Sequence, residues 1–125
     1  MRVLVLGAAG TLGRPTLRSL VAEGHEVWGL TRRVTGARTI AAYIARPVIG
    51  DVLVGDSIRR VLTEAQPQAI VASLSARPPR SPSRLREFRP TLRLWQEIPM
   101  LLRLAARRAP GLYLGRLRLR LRRSR

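Results

Sequence analysis

Four short apolar runs separated by amphipathic stretches organise the first 76 residues. Val3-Leu4-Val5-Leu6 is continuous and ends at Gly7, which suits a strand buried on both faces of a parallel sheet. Over residues 11–23, Leu12, Leu17, Leu20 and Val21 fall close to one helical face. Pro15 lies in the first turn, where its missing N–H is tolerable, and Gly24 supplies a stop. Residues 26–31 (EVWGLT) predict a second strand, residues 36–45 a short helix with Ile40 and Ile44 on one face, and residues 47–50 a third strand. Asp56 or Ser57 is placed to cap a helix carrying Ile58, Val61, Leu62 and Ala65, which Pro67 breaks. Residues 69–74 (AIVASL) complete the series as a fourth strand. Alternation of strand and helix at this spacing predicts a right-handed α/β parallel sheet, ordered third, second, first, fourth, with helices on both faces.

Regularity fades after residue 76. Residues 77–83 (RPPRSPS) hold three Pro and two Ser, the composition of a connector. Residues 84–109 carry helical spacing that Pro90 and Pro99 interrupt. Leu112-Tyr113-Leu114 can form a short fifth strand, after which Arg and Leu alternate from 116 to 121. The chain thus divides into nucleotide-fold βαβ units at 1–76, a proline-interrupted helical segment at 77–111 and a basic Arg/Leu tail at 112–125, expected to be dispensable for folding. In a sheet of only four strands, the fourth strand's outer edge needs cover from the 84–109 helix, from a protein partner or by self-association.

Charge changes the picture for the C-terminal part. The net charge is +17, and every basic residue is Arg, since the sequence has no Lys. Residues 1–75 hold 9 Arg against 5 acids, and residues 76–125 hold 15 Arg against 2 acids. Such basicity attracts nucleic acid or anionic lipid, and it is equally the mark of GC-rich coding in a tail not selected to fold. Only Phe88, Trp95 and Tyr113 could stack on bases there, which argues against nucleic acid. With no Cys and a single His25, neither a disulfide nor a zinc site can be built. No stretch approaches the ~20 apolar residues of a membrane span, so a cytoplasmic protein is expected.

The candidate chemistry lies at the first strand-to-helix turn. Gly7-Ala8-Ala9-Gly10-Thr11-Leu12-Gly13 is a G-x-x-G-x-x-G turn. Glycines there let backbone amides approach a pyrophosphate, and the helix N-terminus aims its positive end at the phosphates. In this strand-to-helix context the spacing resembles that of short-chain dehydrogenase/reductases of the extended kind, the NAD-dependent epimerase/dehydratase family. LVAEGHEVWGLTRR, Gly50-Asp51-Val52, Asp56-Ser57-Ile58 and AIVASLSA (69–76) are similar to successive segments of that family, and the similarity ends near residue 111.

The resemblance implies a Rossmann-like fold, incomplete here, that binds a nicotinamide dinucleotide. Gly7, Gly10 and Gly13 match the pyrophosphate turn, with Thr11 and Leu12 contributing backbone. Asp51 matches the residue that hydrogen-bonds adenine, and Val52 the lining beside it. Leu74, Ser75 and Ala76 match the loop next to the ribose and nicotinamide. Family members that use NAD place an acid at the end of the second strand, whereas this chain has Thr31-Arg32-Arg33. Guanidinium groups suit a 2′-phosphate, so Arg32 and Arg33 favour NADP(H) over NAD(H). The sequence departs from the family where a His is common, with Ala72-Ser73 in that place.

Family chemistry needs a Tyr-x-x-x-Lys pair. Without Lys, and with Leu117 four residues after Tyr113, the pair cannot be assembled from this chain, and no catalytic residue is assigned. The expectation is a truncated, catalytically incomplete NAD(P)-binding member of the family. Two alternatives are a non-catalytic NADP(H)-sensing module and a basic nucleic-acid-binding protein.

Overall fold

In a computed structural model of the chain, the described residues are 1–73 and, as backbone, 113–116. Strands β1 (Arg2–Leu6), β2 (Glu26–Thr31), β3 (Arg46–Ile49), β4 (Ala69–Ala72) and β5 (Tyr113–Arg116) form one sheet in the order β3-β2-β1-β4-β5. All four pairings are parallel. The expected order of the first four strands therefore holds, with the third strand one residue earlier than predicted.

β5 pairs Tyr113 with Ala69 and Arg116 with Ala72. Cover of β4's outer edge was expected from the 84–109 helix, a partner or self-association; the chain's own strand occupies that edge instead, overlapping the short fifth strand expected at Leu112-Tyr113-Leu114. A strand satisfies the edge's N–H and C=O groups directly, which a packed helix does not. The first residues of the 112–125 segment thus belong to the sheet. The 77–111 segment lies outside the described residues.

Three helices connect the first four strands: α1 (Gly13–Ala22), α2 (Val34–Ala42) and α3 (Gly55–Ala65). Strand alternation sends Val3, Val5, Val27 and Ala69 to one sheet face, where they meet Leu17 of α1 and Ile40 of α2. Leu4, Leu6, Leu30, Val48 and Ile70 go to the other, against Ile58, Val61 and Ala65 of α3. Both faces of β1 are sealed, and Leu4 and Val5 are 0% exposed. That explains why β1 reads as an unbroken apolar run.

Helix ends correct two local expectations. α1 closes with His25 N–H donating to the Leu20 carbonyl and Gly24 N–H to that of Val21, with Gly24 at φ 82°. α2 repeats only the second of these bonds, from Ile44 N–H to the Ala41 carbonyl, and places Ile44 in the left-handed position, φ 61°. Ile44 was expected on the helix's buried face with Ile40; it instead follows the helix and is 84% exposed. The helix stops at Ala42, so the i, i+4 spacing no longer brings Ile44 to the core. Likewise α3 begins at Gly55 after Val54 and has no side-chain cap. Asp56 pairs with Arg59 at 3.2 Å, and the Ser57 hydroxyl is engaged elsewhere.

Candidate functional site

The chain reverses direction in the sheet between β1 and β4: β2 and β3 lie to one side of β1, β4 and β5 to the other. In open α/β sheets a crevice forms at the carboxyl ends of the strands at such a switch point. The turn Gly7–Gly13 leaves β1 there.

Gly7 adopts φ 75°, which reverses the chain after β1. Gly10 N–H then donates to the Gly7 carbonyl at 3.1 Å and Arg14 N–H to that of Gly10 at 3.1 Å. A methyl at Gly13 would collide with the Gly7 carbonyl and lie 2.6 Å from Ala8 Cα, so α1 can approach the turn only with glycine here. Among the described residues the amides of Thr11, Leu12 and Gly13 have no acceptor. The first turn of a helix leaves such donors free for an anion. Thr11 is exposed, Leu12 half-buried and Gly13 buried.

Arg32 and Arg33 follow β2 at the same edge of the sheet, both exposed, and neither makes an ion pair among the described residues. Arg33 is the residue before α2 and has extended backbone. Gly50 N–H donates to the Thr31 carbonyl at 2.9 Å, which brings the end of β3 alongside. Asp51 comes next. Its amide donates to Ser57 Oγ at 2.9 Å and its Oδ1 accepts the Leu53 amide at 2.9 Å. Val52 is buried, 3% exposed, in the cluster with Leu30, Val48 and Ile58. Leu74, Ser75 and Ala76 lie outside the described residues.

The structure adds residues that sequence reasoning passed over. Ser73, at the departure from β4, donates from both amide and hydroxyl to the Leu6 carbonyl, at 3.0 and 2.9 Å. Ser57 orients the Asp51 backbone. Thr31 Oγ1 accepts Arg33 N–H at 3.3 Å. A hydroxyl residue at a strand end, two positions before an exposed amide, is the visible signal for that last contact. Among the described residues no three metal-ligating side chains cluster, and no helix is long and apolar enough to cross a membrane.

Comparisons with known proteins agree with this geometry. The model of the NAD dependent epimerase/dehydratase family matches residues 3–96. The 3-diazoavenalumate denitrifying reductase of a Streptomyces species is 36% identical over 76 residues, covering 61% of this chain and 24% of that protein. Photosystem II assembly factor Ycf39 of Cyanophora paradoxa is 35% identical over 78 residues, 62% of this chain and 24% of its own length. The chain therefore spans about a quarter of the length of these curated relatives. UDP-glucose 4-epimerase of Thermus thermophilus, solved with NAD, superposes with a TM-score of 0.69 at 23% identity, over 86% of this chain and 34% of that one. AtPrR2, solved with NADP+ and (+)pinoresinol, gives a TM-score of 0.62 at 24% identity, over 84% and 33%. At such identities the likeness establishes the fold alone. With a glycine turn at the switch point of a parallel sheet and a family match across residues 3–96, the chain belongs to the NAD dependent epimerase/dehydratase family.

Proposed function

We propose that this chain acts in the cytoplasm, binds a nicotinamide dinucleotide over Gly7, Gly10 and Gly13, prefers NADP(H) to NAD(H), and does not turn over a substrate by itself. The observation that carries the preference is the end of β2, where Arg32 and Arg33 stand exposed without an ion-pair partner among the described residues. An acid there would accept ribose hydroxyls; two guanidinium groups offer instead the planar donors that a 2′-phosphate takes.

The residues present fit the cofactor's adenosine half. The open amides of Thr11, Leu12 and Gly13 supply donors for the pyrophosphate, and the glycines keep side chains out of its way. Asp51, with one carboxylate oxygen held by Leu53 N–H, presents a fixed acceptor for the adenine amino group, and buried Val52 backs that side. The family resemblance assigns Leu74, Ser75 and Ala76 to the ribose and nicotinamide side of the site. The nicotinamide supplies hydride chemistry when bound, but no Lys stands in this chain to lower a tyrosine pKa for the accompanying proton transfer.

Calorimetric titration of the chain with NADPH and NADH tests the reading. NADPH should bind tighter, and Arg32→Ala should remove most of the difference while leaving NADH affinity near that of the parent. Equal affinities in the parent chain would remove the arginine assignment. Absorbance at 340 nm should not change with sugar-nucleotide or carbonyl substrates.

A further inference from the structure

The arginines at the end of β2 are useful only if their loop is held at a fixed distance from the glycine turn, and an exposed loop is not held by its own side chains. Thr31 meets the elements on both sides of that loop. Its carbonyl accepts Gly50 N–H at 2.9 Å, which ties it to the end of β3 one residue before Asp51. Its hydroxyl accepts Arg33 N–H at 3.3 Å and donates to the Arg33 carbonyl at 3.4 Å, holding both backbone polar groups of the residue before α2.

Gly36, in the first turn of α2, closes the arrangement from the other side. A methyl there would collide with Thr31 Oγ1, come within 3.0 Å of Thr31 Cβ and stand 3.3 Å from Ala9 Cβ of the glycine turn. Glycine inside a helix costs about 1 kcal/mol relative to alanine, so its presence calls for a close approach that alanine cannot make. Here the approach seats α2 against the Thr31 side chain and the turn together.

We propose that Thr31 is a positioning residue for cofactor selection. Its hydroxyl, wedged between Arg33 and Gly36, sets where the Arg32-Arg33 loop stands relative to the pyrophosphate turn. Thr31 touches no cofactor in this scheme; it acts through the arginines, and the inference rests on the NADP(H) reading above. Because the hydroxyl's hydrogen bonds run to Arg33 and not to the glycine turn, its loss should alter discrimination between the two cofactors and spare the affinity they share.

Three variants of the full chain, titrated with NADPH and with NADH and melted in parallel, test this. Thr31→Val keeps the shape and removes the hydroxyl; the preference for NADPH should fall roughly fivefold, the size of one lost hydrogen bond, with NADH affinity unchanged. Thr31→Ser keeps the hydroxyl and should retain the parent ratio. Gly36→Ala should lower the ratio as Thr31→Val does. A Thr31→Val variant with the parent ratio overturns the positioning role while leaving the arginine assignment intact. So does a loss that falls equally on both cofactors and tracks the melting temperature. A parent chain that binds both cofactors equally, or neither, overturns the arginine assignment and this inference together.

Discussion

Ser73 donates twice to the carbonyl oxygen of Leu6, through its amide at 3.0 Å and its hydroxyl at 2.9 Å. Leu6 is the last residue of β1 and Ser73 the first after β4, so the pair locks the two strands at the switch point immediately before the glycine turn. Replacing the hydroxyl leaves the backbone bond and removes one half-buried contact. Ser73→Ala should therefore destabilise the fold by about 1 kcal/mol, read as a shift in the denaturant midpoint at unchanged slope. A midpoint equal to the parent's would mean that the amide alone holds the two strand ends.

Gly10 and Gly13 stand in one motif but face different constraints. An alanine methyl at Gly10 would lie 3.3 Å from the Gly7 carbonyl, a contact that a shift of a few tenths of an ångström relieves. At Gly13 it would overlap the Gly7 carbonyl and Ala8, both backbone, and nothing flexible can yield. Gly13→Ala should lower the melting temperature sharply, and Gly10→Ala only slightly. Dinucleotide affinity should drop in both. Equal melting temperatures for the two would show that the turn adjusts as a unit.

Ile44 is the one β-branched residue at positive φ among the described residues, and it holds the place that Gly24 holds at the end of α1. Its side chain is 84% exposed and gives back little apolar burial for the strain. A left-handed conformation costs an L residue roughly 1–2 kcal/mol, partly offset in glycine by chain entropy, so Ile44→Gly should stabilise the fold by about 1 kcal/mol. Thermal melting measures it, and a lower midpoint would mean that Ile44 packs on something its exposure does not reveal.

The legible part of this chain was the part built on a single repeating rule. β1 announced itself because both its faces are buried, and α3 because Ile58, Val61 and Ala65 recur at helical spacing and all reach the core. The glycine turn was legible because its spacing answers a steric demand that only glycine meets. Contacts between residues distant in sequence left no such trace: Ser73 with Leu6, or Gly36 with Thr31 and Ala9, exist only once the sheet brings strand ends together. Helix starts were misread for a related reason. Asp56 and Ser57 have capping side chains, but the Ser57 hydroxyl takes the Asp51 amide instead, a choice fixed by the β3-to-α3 connection. Arg32 and Arg33 could be found by residue type and the Thr31 hydroxyl by its place two positions before Arg33, whereas the tie of Thr31 to Gly50 could not.

The pairing of β5 separates two deletions that the sequence treated as one. Removing residues 117–125 takes away five arginines and leaves Tyr113–Arg116 in place beside β4, so it lowers self-repulsion in a chain of net charge +17. The melting temperature should stay the same or rise slightly at low salt, and the gain should fade as salt screens the remaining charge. Removing residues 113–125 also takes away Tyr113–Arg116 and bares the outer edge of β4, whose N–H and C=O groups then lack partners. That deletion should lower the melting temperature by several degrees and promote association between copies through the exposed edge, seen as a larger apparent mass by light scattering. The comparison is informative because both deletions remove the same stretch of alternating Arg and Leu after Arg116. A melting temperature that falls equally in both would assign the loss to residues 117–125. One unchanged in both would show that β4 is stable at its outer edge without β5.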